Sequence, residues 1–216
     1  RGRIVHVLSI ALILFVLAEV NYPQLGPQSQ LALFAFFGLL LCFLLFPTTI
    51  KGAVGISIDV ISCSLAVFVC LYIVLQTEPI FSSFWTSGTA LGDRAGAESS
   101  LDFFVGVLGV LIVIEATRRC LGWALPILSI TFLIYSYGGA YAPSWLFPHR
   151  GYSVERIVAQ TFLHSQGVFG IALKVMFTYV FLFVILGALL HATGATSFIV
   201  NLAKRIFYKT PGGAAK

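Results

Sequence analysis

Glu115-Ala116-Thr117-Arg118-Arg119-Cys120-Leu121-Gly122-Trp123-Ala124-Leu125-Pro126 is a short charged joint between two long apolar runs. It holds the only adjacent basic pair before Lys204-Arg205, and no acid follows it until Glu155. Two apolar segments joined by so few residues must be antiparallel neighbours, and an Arg pair at their turn fixes that end on the cytoplasmic side of a bilayer. Every other segment is placed from this one.

Of 216 residues, 59% are hydrophobic and 10% charged, against about 45–50% apolar and 25% charged in a soluble domain. Mean hydropathy is +0.99. The chain therefore reads as an all-α integral membrane protein whose apolar runs satisfy their backbone groups internally. The net charge of +5 comes from 13 Lys and Arg spread thinly between those runs, which makes no basic patch for nucleic acid and carries topology instead. Cys42, Cys63, Cys70 and Cys120 include no CxxC pair and have no clustered His, so they read as buried or lipid-facing thiols rather than a zinc site or disulfide framework. The first apolar run is followed by Asn21-Tyr22-Pro23 and not by a small-residue cleavage site, so it is expected to stay in the mature protein.

About 20 mostly apolar residues span a bilayer core. Six runs qualify or come close: 4–20, 31–46, 54–75, 101–117, 120–137 and 171–190. The second is the shortest, and either tilts little or borrows Gln30 and Pro47 at its ends. Counting Lys and Arg on alternate sides puts Arg1, Arg3, Lys51, Arg118, Arg119, Lys204, Arg205, Lys209 and Lys216 on one side. Arg94, Arg150, Arg156 and Lys174 fall on the other. The richer side is the cytoplasm, which places the N-terminus there. The acids lean the other way, with only Asp59 and Glu115 on the inner side.

Residues 76–100 form the one long outer loop, with Phe81, Phe84 and Trp85 near its start and an acidic tip at Gly92-Asp93-Arg94-Ala95-Gly96-Ala97-Glu98. It reads either as a docking surface or as a solvated connector with an aromatic anchor at headgroup level. After the fifth span, Gly138-Gly139-Ala140-Tyr141-Ala142-Pro143 breaks the helix, and Ser153 has the character of an N-cap with Glu155 in the first turn. Val154, Ile157, Val158, Thr161 and Phe162 then recur at helical spacing while Glu155, Arg156, Gln160 and His164 face away, which predicts an interfacial helix over 153–165. A second follows the sixth span: Phe198, Ile199, Leu202, Ala203, Ile206 and Phe207 make its apolar face, behind cap candidates Thr196 and Ser197. The expected fold is thus six transmembrane helices with two amphipathic interfacial ones.

Ionisable residues inside a membrane are functional candidates by default. Asp59 lies one to two turns inside the third span from Lys51, Glu115 has the spacing to pair with Arg118 and Arg119, and Lys174 snorkels from the start of the sixth span. For all three a structural role competes with a functional one, and edge charges rarely need a substrate to explain them. His6, His149, His164 and His191 lack partners at metal-ligand spacing. No nucleophile with a base, glycine-rich phosphate loop or paired carboxylates on one helix are recognisable, so no catalytic, metal or cofactor residue is assigned. Gly106 with Gly109, and Gly52 with Gly55, read as close helix contacts.

The joint at 115–126, then His149-Arg150-Gly151-Tyr152-Ser153-Val154-Glu155-Arg156, then Gln166-Gly167-Val168-Phe169-Gly170-Ile171, resembles the fused permease of tripartite ATP-independent periplasmic (TRAP) transporters that works with a TAXI-class binding protein. Gly212-Gly213-Ala214-Ala215-Lys216 is similar to the Gly-Gly-Pro-Ala-Lys with which such permeases enter their next helix, departing from it at Ala214. The resemblance covers most of the chain from Leu101 onward. It implies a small four-helix subunit at 1–117 fused to the start of the large subunit at 118–216, with 153–165 as an in-plane arm helix. It further implies a bacterial inner-membrane permease taking up an organic acid or similar solute, delivered by a periplasmic binding protein and driven by an inward gradient, usually of sodium. The hairpins that hold solute and sodium are expected beyond Lys216 in a longer protein, so the resemblance carries no site residue onto this chain. The alternative, from another class, is a membrane scaffold that only assembles other subunits.

Overall fold

The computed structural model describes residues 2–50, 52–141, 143 and 147–207, apart from the side chains of Ser87 and Phe207. Its first five helices are α1 (Gly2–Asn21), α2 (Pro27–Leu45), α3 (Ala53–Thr77), α4 (Ser100–Leu121) and α5 (Ala124–Gly138). The short α6 (Val154–Val158) runs on through a π-helical turn at Ala159–Leu163. Then come α7 (Ile171–Ala192), interrupted by a second π-helical turn at Met176–Val180, and α8 (Ala195–Phe207). Helices α1 to α4, α5 with its 3-10 extension to Tyr141, and α7 are long and apolar enough to cross a membrane. Among the described residues there is no strand. The chain is therefore an all-α membrane protein with six candidate spans, as its hydropathy requires. The ending at 210–216 lies outside the described residues, as does Lys51.

Local chemistry sets the helix ends. α2 starts with Pro27 at its first position, where the missing N–H costs nothing, and stops at Leu45 because Phe46 precedes Pro47. The short second run thus gains its length from residues 27–30 and not from Pro47. α4 starts at a reciprocal cap: the Ser99 hydroxyl accepts from the Asp102 N–H while the Asp102 carboxylate accepts from the Ser99 N–H. It ends at Gly122, whose φ of 82° suits glycine, and only Trp123 follows before α5.

Residues 1–174 and 175–216 form two compact units. In the first, Phe43 of α2, Ala66 of α3, and Ile112 and Ala116 of α4 make a buried cluster on which Leu39, Cys42, Cys63 and Leu65 pack. The connections alternate between two ends of this bundle. Loops 22–26 and 78–99 meet at one, where Glu78 bonds Gly26, and 46–52 with the α4–α5 joint meet at the other, where Asp59 bonds both Thr48 and Arg119.

The helix that begins at Val154 is held differently from a lipid-facing one. Its N-cap is Ser153, whose hydroxyl accepts from the Arg156 N–H at 3.4 Å, as the sequence indicates. Its apolar side, however, is buried on α4: Val158, Phe162 and Leu163 fill the space that side chains at Gly106 and Gly109 would take. The small-residue reading of Gly106 and Gly109 holds. That of Gly52 and Gly55 does not, because Gly52 is a turn residue at φ 93° and Gly55 lies on its own loop, against the Ile50 carbonyl and Thr48. The helix passes through its π-helical turn and ends at His164. His164 lines one cavity with Glu155, Arg156 and Gln160, as the spacing predicts, but it is buried there, where its ring meets Glu98.

In the second unit, α8 opens at Ala195 directly after Gly194, whose carbonyl accepts from the Phe198 N–H. Thr196 and Ser197 are therefore inside the helix and do not cap it. Phe198, Ile199, Leu202 and Ile206 remain exposed along one side of α8 and Asn201, Lys204 and Arg205 along the other, the segregation of an interfacial helix.

The glycine groove gives a first test. Gly109→Ala places a methyl group where the Phe162 ring lies, and the expected cost is about 1–3 kcal/mol. Adding Phe162→Leu to that variant should recover part of the loss, measured as thermal unfolding in detergent. Two strictly additive effects would mean that the ring and the glycine do not meet.

Candidate functional site

At the end where α4 turns into α5, four charges neutralise one another. The Arg119 guanidinium donates to Asp59 at 2.6 Å, to Glu115 at 2.7 Å and to the Ser62 hydroxyl at 3.3 Å. Arg118 donates two bonds of 2.7 Å to Glu115. The Thr48 N–H donates to the same Asp59 oxygen at 3.0 Å. Apolar rings cover the cations, with Arg119 4.9 Å above Phe43 and Arg118 5.4 Å above Trp123. Glu115 pairs with both arginines as its spacing predicts. Asp59, one turn and more inside α3, is a partner of Arg119 and so ties α3 to α4.

The opposite end carries a second buried network. Asp102 is 0% exposed and accepts from the Tyr72 hydroxyl at 2.6 Å, from Arg94 at 3.4 Å, and from the Ser99 N–H and hydroxyl at 2.8 Å each. Arg94, 5% exposed, also donates to Gln76 at 2.8 Å and to the Thr86 carbonyl at 2.7 Å. The loop tip is thus not wholly solvated: its arginine turns inward and organises three 3-10 turns, at Pro79–Phe84, Thr86–Gly88 and Leu91–Arg94. Phe84 is exposed, as an anchor at headgroup level requires, while Phe81 and Trp85 are half-buried. Glu19 and Glu78 are buried beside this network. Glu19 accepts from the Gln24 and Leu25 N–H groups and from Gln30, and Glu78 accepts from the Gly26 N–H at 2.6 Å.

The charged segment after α5 folds back on that helix. The His149 ring occupies the space beside Gly139 that a side chain would fill, 4.9 Å edge-on from Tyr135 and 5.6 Å from Tyr152. The Tyr152 N–H donates to the Ser136 carbonyl and the Tyr135 hydroxyl to the Phe147 carbonyl. Arg150 and Arg156 both lie over the Tyr152 ring, at 5.8 and 5.5 Å. The motif His149-Arg150-Gly151-Tyr152 is therefore a structural clasp, and Gly151, at φ 72° with the Tyr137 carbonyl against it, supplies the turn.

Beyond the clasp, α6 and the loop 95–98 enclose an open polar cavity of about 520 Å³ lined by Glu98, Glu155, Arg156, Gln160 and His164. His164 meets Glu98 there at 2.9 Å. Burial pushes the Glu98 carboxyl up, but the Gly96 N–H and His164 hydrogen bonds outweigh it and hold the group below the usual glutamate range. Among the remaining candidates, Lys174, His6 and His191 are exposed, and no group of three metal-ligating side chains occurs among the described residues. The Asp102 network was not read from the sequence as a site, although Ser99-Ser100-Leu101-Asp102 carries the Ser-x-x-acid signature of a helix start.

Apolar spans with charges neutralised in pairs at both ends define a multi-pass helical membrane protein. The family model of the DctM component of tripartite ATP-independent periplasmic transporters matches residues 108–216. That is just over half of the chain, which belongs to this family and is a membrane component of a TRAP transporter. This is a transporter family and not an enzyme family. No curated protein and no solved structure matches the chain.

Two outcomes follow from the buried groups. Asp102→Ala leaves the Arg94 guanidinium buried without its carboxylate, and should cost about 3–5 kcal/mol, whereas replacing both by apolar residues of similar volume should cost less. Unfolding in denaturing detergent measures this, and a double variant that costs as much as Asp102→Ala or more would contradict it. For Glu98 the folded carboxyl titrates lower than the unfolded one, so its contribution is complete above the usual value of 4.5 and disappears as pH falls through the lower folded value. Between pH 6 and pH 3, roughly the range of a depressed glutamate, the melting temperature of the parent should fall further than that of Glu98→Gln.

Proposed function

We propose that this chain is the permease part of a TRAP transporter of the TAXI type, in which residues 1–117 stand for the small four-helix subunit and 118–216 begin the large one. The observation that carries the reading is the family match over 108–216, on a chain whose first four spans precede almost all of it. A periplasmic binding protein delivers an organic acid or similar solute, and an inward sodium gradient drives its uptake across the bacterial inner membrane. Residues 1–174 act in this as a static frame, a role supported by the internal neutralisation of Asp59, Glu115, Arg118 and Arg119 at one end and of Arg94 and Asp102 at the other. No substrate-binding residue is assigned within the chain.

The N-terminus and the Arg118-Arg119 joint face the cytoplasm, and the loop 78–99 faces the periplasm. The distribution of basic residues supports this orientation, all the more because Arg94, one of the few on the outer side, is buried against Asp102. Cysteines placed at the exposed positions 92 and 3, in a chain freed of its native cysteines, should react differently in intact spheroplasts. An impermeant maleimide should label position 92 and spare position 3; the reverse pattern would invert the topology.

Uptake tests the function itself. Cells producing the permease with its binding protein should accumulate a labelled organic acid from a panel of small carboxylates. Accumulation should disappear when the binding protein is omitted or sodium is replaced by choline. Undiminished uptake in either condition would refute the proposed coupling.

A further inference from the structure

Cys42 stands in the last turn of α2 and Cys120 in the last turn of α4. Their Sγ atoms are 3.0 Å apart, about 1 Å more than a disulfide bond. The Cys42 thiol also reaches the Ala116 carbonyl, at 3.6 Å, so the two helices are closely packed at this point. Cys120 is exposed and follows directly on Arg118-Arg119, whereas Cys42 is half-buried behind it. Cys63 packs on the same apolar cluster as Cys42, and Cys70 is buried. The sequence gives no hint of this pair, because 78 residues separate its members and no CxxC spacing announces it.

We propose that Cys42 and Cys120 form a dithiol site that closes to a disulfide when a hydroperoxide oxidises it. Its greater exposure favours Cys120 as the sulfur that reacts first. Its thiolate attacks one peroxide oxygen, the O–O bond breaks, and the hydroxide that leaves takes up the thiol proton as water, so that Cys120 becomes a sulfenic acid. The Cys42 sulfur then displaces the sulfenic hydroxyl, which leaves as a second water with the Cys42 proton. Two thiols lose two electrons and two protons, and hydrogen peroxide is reduced to two waters. The product staples α2 to the α4–α5 joint and is reopened by a dithiol reductant. The same pair binds a trivalent arsenical, which needs two sulfurs within reach of one atom.

The test uses the full chain purified in detergent. After treatment with hydrogen peroxide, alkylation and proteolysis, mass spectrometry should find the Cys42 and Cys120 peptides joined, with two hydrogens lost, and dithiothreitol should separate them. The join should persist in a chain carrying Cys63→Ser and Cys70→Ser, which removes the competing thiols and leaves the pair untouched. Cys42→Ser should instead leave Cys120 to oxidise further to the sulfinic acid. Phenylarsine oxide should bind once per chain and lose that binding in either Cys42→Ser or Cys120→Ser. Over-oxidised Cys120 without a join in the Cys63→Ser, Cys70→Ser chain, or a join of Cys42 to Cys63 in the parent, overturns the proposal.

Discussion

A guanidinium drawn into an apolar helix must be neutralised where it lies, since an unpaired charge in a bilayer costs several kcal/mol. Arg119 meets that constraint with carboxylates from two directions: Glu115 one turn back on its own helix and Asp59 on α3. The first pairing is local and stiffens the end of α4; the second is long-range and fixes how α3 lies against it. Because the same arginine stacks over Phe43, α2 joins the arrangement through an apolar surface. One side chain thus sets the relation of three helices, and the joint to α5 begins three residues later.

The other end follows the same logic with different parts. Asp102 takes its place through the helix start that it helps to cap, and Arg94 is brought to it by a loop whose Ile80 and Phe84 face outward. Such a loop needs a polar core, and Gln76, Thr86 and Tyr72 complete one. Between the two ends, where no charge is available, contact is made by shape: glycines at 106 and 109 receive Val158 and Phe162. Electrostatic pairing at the ends and close packing in the middle are what a bilayer permits, since apolar surface gains little from leaving lipid for protein.

Hydropathy made the six spans legible to within a few residues, because a helix that must cross about 30 Å of hydrocarbon has no other way to be written. Glu115 was legible as a partner of Arg118 and Arg119, since a separation of three or four residues fixes a meeting on one helix. Asp59 was legible only as a charge in need of a partner, because its meeting with Arg119 spans 60 residues. Arg94 was legible only as part of a loop tip and His164 only as a member of a helix's polar side, because nothing local announces that Asp102 or Glu98 receives them. The π-helical turn at Ala159–Leu163 was invisible for a related reason. It keeps the composition of a helix and alters only the phase, so a 3.6-residue pattern carries past it without a break.

The two-residue link at Gly122 and Trp123 is the only covalent tie between the four-helix region and all that follows it. Away from it lie other attachments across the same point in the chain: Gln28 to the Leu163 carbonyl, Glu98 to His164, and the seating of Val158, Phe162 and Leu163 on α4. They sit on different elements, and none borrows its geometry from the link. The fit of residues 124–174 to the four helices before them therefore rests on contacts that the short link does not supply.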